Sequence, residues 1–193
     1  MNTFLEAEKV RQSTFKQQSP TFGIAARSDG MYKGRPRPFC LPVDYAEENL
    51  FPGIRETAPA YFSKFEIKWH DGQAGKPSNH LCSSQVCCVN FLFPFHDQPK
   101  ALAELLRPVF PELARMLPIE NGQYVAFEWI GEKNYLREKI SRNGKRTRGA
   151  NFTSADAAVM FERTDGTRQN PFLRTFLPVD APTVPGARDG EST

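Results

Sequence analysis

The sequence predicts a mixed α+β fold of the broad α/β class, with helices packed on a small mixed sheet, because its apolar residues follow two different periods. In residues 99–107 leucines recur at helical spacing. In residues 124–130 polar and apolar side chains alternate, as in a half-buried strand. Residues 157–161 form a continuous apolar run that the turn pair Asp165-Gly166 closes, which is typical of a buried strand.

Proline and glycine divide the chain of 193 residues into three regions around a single domain. Residues 1–45 are expected to form an N-terminal helix and an irregular arm, because Gly, Pro and Arg crowd the second half of this region. Residues 46–169 carry the periodic segments and should form the core. Residues 170–193 hold several prolines and few apolar side chains, so we expect a divergent, disordered tail.

Cap and turn signals place the individual elements. Pro99 suits the first position of a helix, and Ser78 or Asn79 is a candidate N-cap for a helix that Pro94 ends. Asn121-Gly122 predicts a turn before the alternating strand. Helices are expected over residues 3–18, 46–51, 54–65, 80–93, 99–107 and 112–117, and strands over residues 124–130 and 157–161.

The charge balance and the cysteines narrow the class of protein. Lys and Arg number 25 against 22 Asp and Glu, so the net charge of +3 permits a nucleic-acid partner without requiring one. No apolar run approaches the length of a membrane span, and the N-terminus lacks the order of a secretory signal, so we expect a cytoplasmic protein. The four cysteines fit no structural zinc pattern and are expected to be reduced thiols.

A basic cluster occupies residues 137–148. Only Glu138 interrupts its positive charge, and Asn143-Gly144 predicts a hairpin turn inside it. A run of charge is usually a solvated face, but this cluster leads directly to the 157–161 strand and its leading aspartate, which favours contact with phosphate. The basic residues of the cluster are Arg137, Lys139, Arg142, Lys145, Arg146 and Arg148.

Asp156 lies at the start of the apolar 157–161 run, after a loop that contains Thr153 and Ser154. A carboxylate at the end of a buried strand, beside basic and hydroxyl side chains, suits a metal ion close to phosphate. The simpler alternative is an aspartate that only caps the turn before the strand. These residues alone leave both interpretations open.

Several blocks of the sequence together carry a family resemblance. The blocks are Pro-Phe-Cys-Leu-Pro at 38–42, Glu-Glu-Asn-Leu-Phe at 47–51, the segment 77–94, Phe-Glu-Trp-Ile-Gly at 127–131, Tyr-Leu-Arg-Glu at 135–138 and Arg-Thr-Arg-Gly-Ala-Asn-Phe-Thr-Ser-Ala-Asp at 146–156. They resemble a bacterial restriction endonuclease family of the PD-(D/E)XK nuclease superfamily, and the resemblance extends over residues 35–168.

The resemblance implies a chemistry. In this superfamily an Asp on one strand and a Glu-x-Lys or Asp-x-Lys on the paired strand bind Mg²⁺ and hydrolyse phosphodiester bonds of duplex DNA. By resemblance, Asp156 is the first carboxylate, Glu128 and Glu138 are candidates for a second, and Asp156 and Glu128 are the metal ligands. The basic cluster, together with Thr153 and Ser154, is expected to contact DNA, and assembly as a homodimer is left open.

The resemblance also makes the helix at residues 80–93 the one that opens the nuclease core. Gln85 and Asn90 are its polar residues that could face the site. For each of them, the alternative is a hydrogen bond to neighbouring backbone in the interior.

The family pattern stops after Gln169, where a strand carrying Glu-x-Lys should follow. No lysine occurs after Lys145, and Arg174 is a poor substitute, because a guanidinium differs from a compact ammonium. We therefore expect a truncated or rearranged copy with weak or absent cleavage, in which residues 172–177 supply a short surrogate strand. The alternative function is a non-catalytic DNA-binding or protein-interaction module.

Overall fold

The computed structural model describes residues 4–131, 133–134, 137–138, 144, 146–149 and 153–173. Four α-helices and seven strands lie within these ranges, which confirms the mixed α+β fold. No helix among the described residues is long and apolar enough to cross a bilayer. Asn143, the first residue of the predicted Asn143-Gly144 turn, and residues 174–193 of the tail predicted over 170–193 lie outside the described residues.

Helix α1 (Phe4–Gln18) and a small hairpin form the N-terminal part of the fold. The hairpin joins β1 (Gly30–Tyr32) to β2 (Arg35–Arg37) through Lys33-Gly34, whose φ angles are 50° and 73°. Two positive φ angles in a two-residue loop are typical of a type I′ turn. The arm that was expected to be irregular therefore contains an antiparallel hairpin.

Three more helices cover the sheet: α2 (Thr57–Lys64), α3 (Ser84–Leu92) and α4 (Pro99–Leu106). Helix α4 begins at its proline, as predicted, because the first helical position needs no backbone donor. Short 3-10 helices lie at Ala25–Arg27, Val43–Asn49, Pro52–Ile54 and Phe93–Phe95.

Helix α3 begins later than the sequence suggested. Its N-cap is Ser83, whose hydroxyl accepts a hydrogen bond from the backbone N–H of Val86 at 3.4 Å. Asn79, which was a candidate cap, is buried and donates instead to the carbonyls of Met31 and Leu41 at 3.2 and 2.7 Å. Asn79 therefore joins the N-terminal part of the fold to the core rather than starting the helix.

The main sheet is built around the long strand β5 (Ala155–Arg163). Four other strands pair with it: β3 (Leu113–Leu117), β4 (Val125–Trp129), β6 (Arg168–Gln169) and β7 (Phe172–Leu173). A mixed sheet was expected, but all of these pairings are antiparallel, and the turn at Asp165-Gly166 leads directly from β5 into β6. β7 supplies the short surrogate strand that was predicted to begin at residue 172.

Strand β3 corrects a prediction, because residues 112–117 were expected to be helical. The segment lies against β5 with Met116 opposite Phe161 and Leu117 opposite Met160. Arg115 adds a cross-strand ion pair with Glu162 at 2.7 Å. Pairing with β5 thus overrides the local helical preference, which is a weak influence compared with burial.

The main core lies between this sheet and helices α2 to α4. The ring of Phe62 on α2 stacks on Trp69 with 3.8 Å between ring centroids. Phe127 on β4 is fully buried and contacts both Phe62 and Phe93. β4 therefore sits against the helices through Phe127, and Glu128 on the same strand is also buried, so its carboxylate needs partners inside the protein.

Candidate functional site

Glu128 is a buried carboxylate on β4, with only 6% of its surface exposed. Its Oε1 accepts a hydrogen bond from Nε2 of Gln85 at 3.0 Å. Its Oε2 accepts one from the hydroxyl of Ser154 at 2.6 Å. The simple expectation for an alternating strand, a glutamate pointing to solvent, does not apply here, because each carboxylate oxygen has a donor in the protein.

Gln85 on α3 connects this carboxylate to a neighbouring loop. Besides Glu128, its Nε2 donates to the carbonyl of Lys68 at 3.1 Å, and its Oε1 accepts from the backbone N–H of His70 at 2.8 Å. Gln85 therefore both faces the site and bonds interior backbone. Asn90, by contrast, only bonds backbone among the described contacts, with Oδ1 accepting from Phe51 N–H and Nδ2 donating to the Asn49 carbonyl.

Asp156 is the second residue of β5, the strand that pairs with the β4 strand of Glu128. The register pairs Phe127 with Ala157 and Trp129 with Ala155, so position 128 falls opposite position 156. Residues directly opposite in an antiparallel pair are close neighbours. Positions 128 and 156 therefore lie on neighbouring strands between two paired positions, and the charge of Asp156 acts on the Glu128 carboxyl.

The surroundings of Glu128 disfavour its charged form. Burial raises the pKa of Glu128, and the negative charge of Asp156 raises it further. The hydrogen bonds from Ser154 and Gln85 and the nearby His70 act in the opposite direction without cancelling the rise. Burial therefore favours the neutral form of the Glu128 carboxyl more than solvent would.

The backbone of Glu128 is also unusual, because its φ angle is 49°. A non-glycine residue rarely adopts this left-handed conformation, least of all inside a strand. The guanidinium of Arg148 holds the two carbonyls at this point, donating from Nε to Phe127 at 3.0 Å and to Glu128 at 3.3 Å and from Nη2 to Phe127. Its Nη1 bonds both carboxylate oxygens of Glu120 at 2.8 and 2.9 Å.

Comparison with known proteins identifies the family. A family model described as "Restriction Endonuclease associating with ARP" matches residues 9–168. The chain belongs to this family. Membership confirms the resemblance at the level of a restriction-endonuclease-like protein and implies interaction with DNA. Neither the search of curated proteins nor that of solved structures found a match.

In this restriction-endonuclease-like protein Glu138 has different partners from Glu128. Its carboxylate accepts hydrogen bonds from the backbone N–H and the hydroxyl of Thr153, with the closest contacts at 2.9 and 2.7 Å. Thr153 and Ser154, both predicted DNA contacts, thus each donate to a glutamate.

The basic cluster is described only in part. Lys139, Arg142 and Lys145 lie outside the described residues. Arg137 is exposed, and Arg146 is half-buried and donates to the carbonyl of Gly131 at 3.0 Å. Arg148 is turned inward, with its guanidinium bonded to Glu120 and to β4 backbone.

A cluster of three or more His, Cys, Asp or Glu suited to a metal is absent from the residues that the structure describes. The candidate centre is therefore a pair of carboxylates, Glu128 and Asp156, with Gln85 and Ser154 fixing the first of them. Sequence reasoning missed the role of Glu120, which lies 28 residues before its partner Arg148 and carries no motif. It also missed that backbone groups of the loop at residues 68–70 bond the side chain of Gln85.

Proposed function

We propose that this protein binds duplex DNA and carries a restriction-endonuclease-like site for phosphodiester hydrolysis, centred on Glu128 and Asp156. The observation that carries the proposal is the buried carboxylate of Glu128, bonded by Gln85 and Ser154 and set opposite Asp156. Burying a carboxylate beside another one costs free energy, and such arrangements occur where function requires them.

The residues present fit a divalent cation. Each oxygen of Glu128 accepts one hydrogen bond and keeps a further lone pair, and Asp156 contributes a second carboxylate. Carboxylate oxygens are ligands that Mg²⁺ prefers. Proteins usually supply one or two carboxylates to this ion, and water and substrate phosphate supply its other ligands. We assign Glu128 and Asp156 as the ligands. When bound, Mg²⁺ would neutralise phosphate charge and make a coordinated water more acidic.

The protein's own residues orient this pair. Gln85 and Ser154 fix the Glu128 carboxylate from α3 and from the loop before β5, so its oxygens cannot rotate freely. Arg148 and Glu120 hold the β4 backbone at the strained position. Arg148 therefore positions Glu128 in our proposal, and the phosphate contacts fall to Arg137, Arg146 and the other basic residues of the cluster.

Weak or absent cleavage is part of the proposal. Superfamily members use a lysine ammonium beside the carboxylates, and this chain has no lysine after Lys145. A guanidinium such as that of Arg174 is a poorer substitute for a compact ammonium. Without that group the attacking water lacks a partner, so we expect DNA binding to exceed DNA cutting by far.

The test combines cleavage and binding. Supercoiled plasmid is incubated with the full chain in Mg²⁺ or in chelator, and binding of a duplex is followed by fluorescence anisotropy at several salt concentrations. We expect salt-sensitive binding, and only slow nicking that requires Mg²⁺ and disappears in Asp156→Asn and Glu128→Gln but not in Glu104→Gln. Efficient cutting would refute the impairment, and nicking that persists in both site variants would refute the site.

The alternative is a DNA-binding module without catalysis. It is favoured by the hydrogen bonds that already occupy both oxygens of Glu128. Binding in chelator separates the two: a pure binding module should hold the duplex equally well with and without Mg²⁺. The site proposed here should bind more tightly when the cation screens Glu128 and Asp156 from phosphate.

A further inference from the structure

The β1–β2 hairpin carries three cations on one face of its ribbon. Its register pairs Tyr32 with Arg35 and Gly30 with Arg37. Because side chains two residues apart on a strand share a face, Tyr32, Arg35 and Arg37 lie on the same side of the ribbon. The ammonium of Lys33, in the turn, lies 5.1 Å from the centre of the Tyr32 ring and so joins them. We call Lys33, Arg35 and Arg37 the hairpin cations.

The hairpin cations have no carboxylate that neutralises them. Within the part of the chain that the structure describes, none of the three forms an ion pair. Lys33 and Arg35 are exposed, and Arg37 is half-buried, with its guanidinium 6.0 Å from the centre of the Phe39 ring. The Nε of Arg37 is buried and has no hydrogen-bond partner among the described residues. All three side chains therefore have donors to offer to a ligand.

Two acids lie near the hairpin, and each already has a partner. Asp29 comes directly before β1 and pairs with the ammonium of Lys16 at 3.6 Å. Asp71 accepts a hydrogen bond from the hydroxyl of Tyr32 at 3.2 Å. The face of the hairpin therefore keeps an excess of positive charge, which attracts polyanions.

A cluster of aromatic rings supports the hairpin cations. The ring of His80 contacts both Tyr32 and Phe39, with 5.0 and 4.9 Å between ring centroids. Lys33 contacts the first of these rings and Arg37 the second. A ring beside a cation orients it without neutralising its charge, so the charge stays available to a partner.

The backbone of the hairpin is fixed to the rest of the protein. The side-chain amide of Asn79 donates to the carbonyl of Met31 at 3.2 Å and to that of Leu41 at 2.7 Å. The N–H of Gly30 donates to the carbonyl of Cys40 at 3.0 Å, and a Cβ at position 30 would lie 1.9 Å from the carbonyl oxygen of Leu41. The hairpin is therefore preformed, which lowers the entropic cost of binding.

The hairpin lies against the loop that also supports the candidate site. Asp71, which bonds the hydroxyl of Tyr32, directly follows His70. The backbone N–H of His70 donates to Gln85, whose amide in turn donates to Glu128. The hairpin and the Glu128 carboxylate are thus connected to adjacent residues of one short loop, so a single extended ligand can contact both.

We propose that the hairpin cations bind the phosphate backbone of the duplex held at Glu128 and Asp156, as a second contact surface besides the basic cluster. The proposal rests on the proposed function, since it concerns the same duplex. Duplex DNA suits the hairpin better than an acidic protein does, because its charge is dense and regular, about one per 1.7 Å of helix axis. The guanidinium fork also matches the geometry of phosphate. Contacts to phosphate carry no sequence information, so the hairpin should strengthen binding to every duplex.

The experiment measures how duplex binding by the full chain depends on salt. Two duplexes of equal length and different sequence are followed by fluorescence anisotropy in chelator, so that the result does not depend on cleavage. The test variant combines Lys33→Asn, which suits the positive φ angle of this turn, with Arg35→Gln. Each phosphate contact contributes about 0.9 to the slope of log affinity against log salt. We expect the variant to lower this slope by about 1.8 and to weaken both duplexes by the same factor.

Lys100→Gln combined with Arg107→Gln is the matched control, because it also removes one lysine and one arginine, from the first turn and the C-terminal end of α4. Its slope should stay near that of the wild type. Circular dichroism and thermal unfolding check that each variant is folded. An unchanged slope in the hairpin variant, or an equal fall in both variants, overturns this inference alone. A loss confined to one of the two duplexes overturns it too, since it would indicate contact with bases.

Competition separates duplex DNA from an acidic protein. Unlabelled duplex should displace the labelled duplex from the wild type at a much lower concentration of negative charge than poly-glutamate does. A stronger effect of poly-glutamate that disappears in the hairpin variant would indicate an acidic protein partner and overturn the inference. Failure of the wild type to bind either duplex overturns the proposed function as well.

Discussion

At the scale of single residues, Glu128 combines several features that destabilise the fold. It is buried, its backbone has a positive φ angle, and it lies opposite a second carboxylate, Asp156. Each of these features opposes folding on its own. Their coincidence at one position on a core strand is difficult to explain by packing, whereas a cation bound at this position would offset the charge.

The raised pKa of Glu128 determines how stability depends on pH. A carboxyl whose pKa is raised by folding is protonated more readily in the native state than in the unfolded chain. Its contribution to stability is therefore largest below the unfolded pKa and declines as the pH rises through the folded value. At neutral pH the Glu128 carboxyl therefore contributes less to stability than it does in acid.

Glu128→Gln should therefore stabilise the metal-free protein at pH 7.5. The amide keeps the shape and can still bond Gln85 and Ser154, while the charge opposite Asp156 is removed. We expect the free energy of unfolding to rise by about 0.5–2 kcal/mol, the usual gain when a functional site is relaxed. Urea unfolding followed by circular dichroism measures it.

Glu104→Gln is the control for this measurement, because Glu104 is exposed and, among the described residues, pairs with Arg107 at the end of its own helix. Its unfolding midpoint should hardly change. A Glu128→Gln variant that is less stable than the wild type would mean that the carboxylate is held favourably as it is, and would contradict a cation site at this position.

At the scale of elements, Lys16 joins α1 to the arm. Its side chain is fully buried, and its ammonium donates to the carbonyls of Ser28 and Cys40 at 3.0 Å each. Burial lowers the pKa of Lys16, while Asp29 at 3.6 Å acts against this shift. The helix has a weakly amphipathic sequence with exposed apolar residues, so the buried polar contacts of Lys16, together with the bond from Gln17 to the Arg27 carbonyl, are important for its docking.

Lys16→Met should loosen the N-terminal part of the fold. The apolar stem is kept, but the carbonyl of Ser28 loses this donor, while that of Cys40 keeps the backbone N–H of Gly30. An unsatisfied buried polar group costs about 1–3 kcal/mol, which is the loss expected in urea unfolding. Arg11→Met, on the exposed side of the same helix, is the control and should change stability little. Equal losses in the two variants would contradict a docking role for Lys16.

The elements show which sequence signals were sufficient. Helix α4, with its leading proline, and strand β5, with its continuous apolar run, were predicted because both signals are local. Strand β3 was missed, because what makes it a strand is β5, which lies more than 40 residues later in the chain. The hairpin of β1 and β2 was missed because its turn uses Lys-Gly, a weaker signal than Asn-Gly.

The candidate site, too, could be predicted only where local sequence or family resemblance pointed to it. Family resemblance singled out Glu128 and Asp156, and the register places them opposite each other. A charge run could not reveal that Arg148 turns inward, since its partner Glu120 lies outside the run. Nor could it reveal that Gln85 would join Lys68, His70 and Glu128 in one network, because only the folded chain brings α3 beside the 68–70 loop.

At the scale of the whole molecule, the two carboxylates lie on β4 and β5, two directly paired strands of the main sheet. β5 pairs with β4 and β7 along its first half and with β3 and β6 along its second half. The other face of β4 packs on the main core through Phe127. A ligand that bridges β4 and β5 therefore binds only when this core is folded, so its binding energy adds to global stability.

Mg²⁺ should accordingly raise the stability of the wild type in a way that both carboxylates control. A cation at one hundred times its dissociation constant adds about 2.7 kcal/mol, which shifts the unfolding temperature by several degrees. The shift should vanish in Asp156→Asn and in Glu128→Gln, and persist in Asp97→Asn, which removes an exposed carboxylate elsewhere. Thermal unfolding with and without Mg²⁺ measures this independently of DNA. A shift of equal size in all four proteins would place the cation away from β4 and β5.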